Sequence, residues 1–166
     1  MDDSENPHNG HIRIAKYRTM EFRILRYDNL DRDTLYDILA LRAEVFVVEQ
    51  RCAYLDPDGR DKNCYHMICT ENGKMKGYLR ILPPGDIFKE ASIGRVLVTD
   101  RRRGIATEMV RRALDFIDKE LHQDRIRVEA QTYAVGLYEK FGFEKEGKEF
   151  LDEGIPHIQM QYMKKS

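Results

Sequence analysis

The sequence predicts a mixed α/β fold in a single domain. Stretches that alternate apolar and polar residues, as strands do, occur between stretches that carry apolar residues at helical spacing. The dipeptide Asn72-Gly73 lies between two apolar runs and is typical of the tight turn of an antiparallel hairpin. A length of 166 residues is within the usual size of one domain. These observations predict one sheet-containing domain with helices packed against it.

The first half of the chain is predicted to contain three strands and one helix. A strand at residues 22–25 precedes a helix whose apolar residues share one face: Leu35, Ile38, Leu39, Val45 and Phe46. The Asp-Pro-Asp-Gly sequence at 56–59 predicts a turn, because proline fixes φ and glycine accepts a positive φ. Two further strands, at 64–69 and 78–82, flank the Asn-Gly turn and complete a hairpin.

The second half begins with an apolar strand at 93–98, an arginine-rich turn and a helix. That helix carries a long apolar stripe: Ile105, Met109, Val110, Ala113, Leu114, Ile117 and Leu121. Alternation at 126–131 predicts a half-buried strand, and helical spacing returns at 134–141 until Gly142 ends it. A last strand at 158–162 presents one polar face.

The start of the chain and its composition predict where the protein acts. Residues 1–20 are polar and contain Asn-Pro and Asn-Gly, so we expect a flexible N-terminal extension before a folded domain at 21–166. This extension lacks the apolar segment of a secretory signal, and no apolar run approaches the length of a membrane span. The sequence therefore predicts a cytoplasmic protein without a membrane partner.

Charge and cysteine content exclude two further classes of function. Lys and Arg total 28 against 29 Asp and Glu, so the overall positive field that favours nucleic-acid binding is absent. The three cysteines, Cys52, Cys64 and Cys69, form no C-x-x-C pair, which predicts reduced, packed thiols rather than disulfides or a zinc site. The aspartates at 56, 58 and 61 lack the glycine and acidic spacing of an EF-hand loop. We therefore expect no bound metal and no nucleic acid.

The most informative segment is Arg101-Arg102-Arg103-Gly104-Ile105-Ala106, between the apolar strand and the helix that it opens. A helix start presents unpaired backbone N–H groups and the positive end of the helix dipole, so an anion is stabilised there. Gly104 and the small Ala106 allow an anion to approach, and the arginines suit a pyrophosphate. The alternative interpretation is a solvated helix entry. The glycine patterns of P-loop and dinucleotide-binding folds are both absent from the sequence.

Around this segment the chain resembles the GNAT superfamily of N-acyltransferases. The superfamily pattern [QR]-x-x-G-x-[GA] is met by Arg101, Gly104 and Ala106, after the strand Val96-Leu97-Val98. A second block, from Gln131 to Phe143, is similar to the later strand-helix unit of the superfamily. Where many members have an asparagine that contacts CoA, this chain has Gln131 or its neighbour Thr132. The ElaA-like branch is similar at residues 41–50, 54–56, 58–59, 82–85, 93–96 and 154–158.

The resemblance implies a mostly antiparallel sheet that is splayed at its centre and flanked by helices. It also implies acetyl-CoA as cosubstrate, and transfer of the acetyl group to a primary amine by direct attack through a tetrahedral intermediate. The residues implied in binding CoA are Val96, Leu97, Val98, Arg101, Arg102, Arg103, Gly104, Ile105, Ala106, Gln131 and Tyr138. The position of Tyr138 matches the tyrosine that acts as general acid in the family, although its place on an apolar stripe also suits ordinary packing.

The general base is not determined by the sequence. His157, Glu49 and His66 are candidates, since each has a side chain that can accept a proton, but each also has a structural alternative. Arg42 lies beside an apolar stripe and needs a partner, which is either an internal carboxylate or a carboxylate of the acceptor.

Two other functions remain as alternatives. One is a non-catalytic acyl-CoA-binding or sensor domain, and the other is a nucleic-acid-binding domain that uses Arg101 to Arg103 with Arg111 and Arg112. The sequence leaves the amine acceptor open. It also leaves the oligomeric state open, with a homodimer among the options.

Overall fold

A computed structural model describes residues 20–166 of the chain. The predicted flexible extension at residues 1–20 lies outside the described residues except for Met20, which begins the first strand. The strands are β1 (Met20–Arg26), β2 (Tyr65–Glu71), β3 (Lys74–Leu82), β4 (Ser92–Val98), β5 (Arg125–Gln131), β6 (Glu144–Asp152) and β7 (Ile155–Met163). The α-helices are α1 (Arg32–Arg42), α2 (Ile105–Lys119) and α3 (Val135–Glu139), and a π-helix (Ala43–Glu49) continues α1.

The strands form two antiparallel sheets that meet at one point. The first sheet has the order β1-β2-β3-β4, and the second has the order β5-β7-β6. One parallel bridge joins Ala91, the residue just before β4, to Ile126 of β5, and there the Arg127 N–H donates to the Ala91 carbonyl over 3.0 Å. Beyond that bridge the two strands have no shared ladder. The prediction of a mixed α/β fold with a largely antiparallel, centrally splayed sheet is therefore confirmed.

Helices cover both faces of the first sheet. The stripe on α2 is buried against the inner residues of β2, β3 and β5, so Met109, Ala113 and Ile117 lie in the main core. On the opposite face, Ile38 of α1 and Phe46 of the π-helix pack against β2, β3 and β4. The alternation of β2 between these two cores follows from the period of a strand, in which successive side chains point to opposite faces.

The structure corrects two of the sequence expectations and adds one strand. The first helical face is divided between α1 and the π-helix, and Ile38 and Phe46 are its fully buried members. The predicted helix at 134–141 is the short α3, preceded by a 3-10 turn at Thr132–Ala134. Strand β6 was not expected because its residues are mostly exposed and show no apolar alternation; pairing with β7 holds it in place.

The predicted hairpin turn and the predicted packing of the cysteines are in agreement with the structure. Asn72 and Gly73 both have positive φ, as the predicted hairpin turn requires. The three cysteines are unpaired and buried. No helix within residues 20–166 is long and apolar enough to cross a membrane.

Gly77 on β3 allows α2 to lie close to the sheet. A Cβ at this position would be 2.6 Å from Met109 Sδ, 3.4 Å from Ile105 Cγ2 and 3.4 Å from the Leu97 carbonyl. Glycine therefore sets how close the start of α2 comes to β3 and β4.

We predict that Gly77→Ala lowers the free energy of unfolding by about 1–3 kcal/mol, because the added methyl overpacks the contact between β3 and α2. Gly136→Ala is the matched control, since nothing lies within 4 Å of its Cβ position on α3. The control should be neutral or stabilising by up to about 1 kcal/mol. Urea unfolding of both variants measures the difference, and equal stabilities would contradict the close approach.

Candidate active site

A cleft opens where β4 and β5 diverge, and it has a free volume of about 170 Å³. Residues 92–96 of β4 form one wall and residues 129–131 of β5 form the other. The loop after the π-helix, the tip of the β6–β7 hairpin and α3 enclose the remaining sides. A concave site built from several elements at a break in a sheet is a typical place for a ligand.

A β-bulge shapes the β4 wall. Tyr78 pairs with Leu97 and Arg80 pairs with Gly94, so Arg95 and Val96 together oppose the single residue Leu79. Arg95 has a φ of 52°, which is unusual for a residue other than glycine. Such a bulge bends the strand and interrupts its ladder. The bulge therefore turns β4 at Val96, a residue that lines the cleft.

The bulge is held by a buried carboxylate. Asp56 accepts from Arg42 Nε over 2.8 Å and from Arg95 Nε over 2.8 Å, and its carbonyl accepts from Arg95 Nη2 over 3.0 Å. The Tyr54 hydroxyl donates to the same carboxylate over 3.1 Å. One aspartate thus joins α1 to the bulged residue of β4.

A second pair of aspartates extends this arrangement into an arginine–aspartate cluster (Arg42, Arg80, Arg95, Asp56, Asp58 and Asp61). Asp61 accepts from Arg42 over 2.7 Å and from Arg80 over 3.0 Å. Arg80 also donates to Asp58 over 2.8 Å. Arg42 has no exposed surface, so its partners are internal aspartates and not a carboxylate of the acceptor. The cluster contains three cations and three anions.

His66 belongs to this buried region and lies outside the cleft lining. Its Nε2 donates to the Asp61 carbonyl over 2.8 Å, and its Nδ1 accepts from the Tyr78 hydroxyl over 2.7 Å. Burial lowers the pKa of His66, and both ring nitrogens have partners. The structure gives His66 the contacts of a neutral, structural histidine.

Asp61, Cys64 and His66 are the one group of three potential metal ligands among residues 20–166. The group fits a cation poorly. Two guanidinium groups already bind Asp61, and the imidazole nitrogens are both in use. Burial raises the pKa of the Cys64 thiol to about 12, so the thiolate that a metal needs is disfavoured.

Tyr138 and His157 both line the cleft. Tyr138 is buried on α3 with its ring edge-on to Phe143, and burial raises the pKa of its phenol. His157 stacks on Phe150, and its Nδ1 donates to the Ile155 carbonyl over 2.7 Å. Because Nδ1 carries the proton in that bond, a neutral His157 keeps the Nε2 lone pair available.

Of the two other predicted site residues near the cleft, Gln131 lines it and Glu49 does not. Glu49 ends the π-helix and is exposed, and it is not part of the cleft lining, whereas its neighbour Gln50 is. Gln131 ends β5, lines the cleft and bonds to Gln50 through their side-chain amides over 3.1 Å. The cleft therefore brings together Val96, Gln131, Tyr138 and His157.

The predicted pyrophosphate turn continues from β4 but lies outside the cleft lining. Gly104 has a φ of 74°, precedes α2, and provides no side-chain cap; nothing lies within 4 Å of its Cβ position. Ile105 is buried and anchors the helix, while Ala106 is partly exposed. The open, uncapped helix start fits an anionic group that approaches the backbone.

The side chains around this turn differ in their availability. Arg101 and Arg102 are exposed. Arg103 donates to both oxygens of Glu71 over 3.0 and 2.9 Å, and to Asp100 over 3.1 Å. Leu97 is buried in the smaller core and Val98 packs against the larger one, and neither residue is part of the cleft lining.

The two arginines of α2 that were candidates for nucleic-acid binding, Arg111 and Arg112, are paired with carboxylates. Arg111 pairs with Glu108 and Asp115, and Arg112 pairs with Glu108. These pairs reduce the positive charge that phosphates would meet along α2.

The sequence model of the acetyltransferase (GNAT) domain matches residues 41–164. The chain belongs to the GNAT acetyltransferase family. A UPF0039 protein of Schizosaccharomyces pombe is 38% identical over 146 residues, which are 86% of this chain and 96% of that protein. Protein ElaA of Escherichia coli is 32% identical over 145 residues, 85% of this chain and 95% of its own.

Solved structures agree with this assignment. The crystal structure of E. coli ElaA superposes with a TM-score of 0.81 at 30% identity, over 87% of this chain and 99% of that one. An acyl-CoA N-acyltransferase from Pseudomonas aeruginosa superposes with a TM-score of 0.79 at 32% identity, over 86% and 99%. The resemblance to GNAT proteins and to the ElaA-like branch is therefore confirmed, and this GNAT fold supports acyl-CoA-dependent acyl transfer.

Sequence reasoning missed Arg80, Arg95 and the aspartates that bind them. A signal was present, because each arginine interrupts an apolar strand and three aspartates occur within residues 56–61. A charged residue in a buried strand needs a partner, and an acidic turn is an obvious source.

We predict that the stability of the protein falls as the pH is lowered below about 4, partly through Asp58. Burial opposes ionisation of Asp58, but hydrogen bonds from Arg80 outweigh burial and hold its pKa well below the usual range. A carboxyl whose folded-state pKa is depressed contributes stability above its unfolded pKa of about 3.9, and loses it as the pH falls through the folded-state pKa.

Asp58→Asn should therefore reduce the difference between urea midpoints at about pH 7 and about pH 3. The matched control is Asp37→Asn, which changes an exposed aspartate on α1 that belongs to none of the ion pairs within residues 20–166. The control should keep the pH dependence of the unmodified protein. An unchanged pH dependence in Asp58→Asn would contradict the assignment.

Proposed function

We propose that the protein transfers an acetyl group from acetyl-CoA to a primary amine. The observation that supports this best is the cleft at the β4–β5 break, which is lined by both Tyr138 and His157. The same strand β4 continues into the uncapped helix start at Gly104. Such an arrangement suits a ligand with an anionic end at the turn and a thioester beside Val96.

The free edge of β4 contributes to binding and to catalysis in this proposal. Past the Ala91–Ile126 bridge, β4 has no ladder with β5, so its backbone groups on that side are available to pantetheine. A backbone N–H fixed near Val96 polarises the thioester carbonyl. It stabilises the developing oxyanion more than the ground state, which accelerates the transfer.

The amine attacks the carbonyl carbon directly and gives a tetrahedral intermediate. The C–N bond forms, the C–S bond breaks, and one proton leaves the amine while one is taken up by the thiolate. His157 Nε2 accepts the proton of the amine, because Nδ1 is already bonded to the Ile155 carbonyl. The raised pKa of Tyr138 keeps its phenol protonated, so it donates a hydrogen bond to the departing sulfur and supports its protonation.

We also propose which residues contact the CoA part of the ligand. Arg101 and Arg102 neutralise the pyrophosphate from the exposed turn, and Gln131 contacts the pantetheine from the end of β5. Acetyl-CoA is the acyl donor. The cytoplasmic location and a homodimer remain predictions.

We predict that Gly104→Glu abolishes measurable binding of acetyl-CoA, because it puts a carboxylate where the pyrophosphate binds. Gly147→Glu is the matched control: its glycine also has a positive φ and open surroundings, but it lies in β6. Isothermal titration of both variants with acetyl-CoA gives the affinities. Retained affinity in Gly104→Glu, or equal losses in both variants, would refute the phosphate site.

A second test addresses the chemistry. Tyr138→Phe and His157→Gln should each lower kcat about 100-fold or more, since each removes a proton-transfer group. Tyr36→Phe is the control, because it removes the same hydroxyl from an exposed tyrosine on α1. Thiol release across a panel of primary amines measures kcat, and titration with acetyl-CoA separates chemistry from binding. Binding of acetyl-CoA without amine-dependent thiol release in the unmodified protein would instead identify a non-catalytic acyl-CoA-binding domain.

A further inference from the structure

One buried donor in the cleft region has no partner. Arg80 is 2% exposed, and its Nη atoms bond to Asp58 and Asp61. Its Nε is the one buried side-chain nitrogen or oxygen without a hydrogen-bond partner among residues 20–166. An unpaired buried donor costs about 1–3 kcal/mol, so its presence beside a cleft indicates a missing acceptor. Arg80 is one of the residues that line the cleft.

A second guanidinium group reaches the same wall. The Arg95 side chain is 24% exposed and lines the cleft, and it bonds to Asp56 through Nε and Nη2. Its Nη1 takes part in none of these bonds. Because Asp56 fixes the guanidinium plane and Tyr54 lies under it with its ring centroid 5.8 Å away, Nη1 is a positioned donor.

Gly94 leaves space beside the first of these donors, Arg80 Nε. A Cβ on Gly94 would lie 3.9 Å from Arg80 Nε and 3.7 Å from Leu82 Cδ1, and apart from its two chain neighbours no other residue within 20–166 would come within 4 Å of it. Gly94 is paired with Arg80 across the sheet and is adjacent to Arg95 in the chain. Because Gly94 has no side chain, a ligand oxygen can lie over its Cα and approach Arg80 Nε.

The charges of the cleft indicate which ligand fits. The arginine–aspartate cluster is formally neutral, with three cations and three anions. A ligand with a single negative charge is therefore accommodated beside it more readily than a phosphate dianion is. The other side of the cleft is lined by Glu129, Asp152 and Glu153, which are exposed carboxylates that attract an amine. A molecule with a carboxylate at one end and an amine close by is complementary to both sides.

We propose that the acceptor is an amino acid or a similarly compact amine with a carboxylate on the neighbouring carbon. The carboxylate lies over Gly94 and accepts from Arg95 Nη1 and Arg80 Nε, which places the amine beside Val96 and the thioester. This inference rests on the proposed acetyl transfer and names its substrate class. The step remains the same: the amine nitrogen bonds to the acetyl carbon, the C–S bond breaks, and the proton lost by the amine is balanced by the proton gained by the thiolate.

The test compares amino acids with their carboxamides, using the full chain and acetyl-CoA, and measures thiol release together with the mass of the product. The carboxamide has the same amine without the carboxylate. Its amine is also less basic, so more of it is deprotonated at neutral pH, and this bias acts against the proposal. We expect kcat/KM for at least one amino acid to exceed that of its carboxamide about 10-fold or more, the effect of one hydrogen bond to a charged group.

Two variants test the carboxylate site itself. In Gly94→Ala the methyl meets its neighbours at ordinary contact distances, so the fold is retained while the space over Gly94 is filled. In Arg95→Lys the charge is kept, but the Nη1 donor is lost together with the paired Nε and Nη2 bonds to Asp56, so Gly94→Ala, which leaves those bonds in place, is the decisive variant. Both should reduce the preference for the amino acid over its carboxamide about 10-fold. Arg125→Lys changes an exposed arginine at the start of β5 and should leave that preference unchanged.

The outcomes are separable. Equal kcat/KM for amino acids and carboxamides, or an undiminished preference in Gly94→Ala, would overturn the substrate class while acetyl transfer stands. Acetylation of no amine of either kind, with acetyl-CoA bound, would overturn the proposed function and this inference together.

Discussion

The geometry of the cleft depends on one buried carboxylate. Asp56 binds Arg42 of α1 and Arg95 of β4 at once, so the helix and the bulged strand cannot move independently. Removing charges from water is costly, and such a contact persists only when hydrogen bonds satisfy each member. Here Tyr54 and the backbone of Asp56 provide the additional bonds. The left-handed backbone at Arg95 is thereby maintained in a residue that would otherwise avoid it.

The two cores of the molecule position different parts of the candidate site. The large core under α2 is apolar, and it fixes the helix start by the close contact at Gly77. The smaller core under α1 borders the arginine–aspartate cluster, because Arg42 lies over the ring of Tyr78, and the cluster fixes the cleft wall. A polar cluster with defined bond directions positions a strand more specifically than apolar packing does, because charge-assisted hydrogen bonds are directional.

The elements predicted correctly are those whose cause is local. The Asn72-Gly73 turn, the stripe of α2 and the alternation of β5 follow from neighbouring residues, and each is present. Strand β6 could not be predicted, because its place is determined by pairing with β7 and not by its own apolar pattern. The acidic turn and the arginines in apolar strands indicate ion pairs, but the partners of Asp56 could not be assigned from sequence, since Arg42 and Arg95 lie 14 and 39 residues away in the chain. The family resemblance identified the cleft residue Tyr138, and His157 was a candidate because its side chain can accept a proton, whereas the bonded state of His66 required the three-dimensional structure.

Strand β6 has a consequence for behaviour in concentrated solution. It forms an outer edge of the second sheet, and an edge with unpaired N–H and C=O groups can recruit a strand from another molecule. The exposed residues Glu144, Lys145, Glu146, Lys148 and Glu149 place alternating charges along it, and Gly147 introduces a positive φ and an irregular register. The exposed edge of β6 is therefore bent and charged, and both features oppose pairing with a strand of another molecule, which is the first step of aggregation.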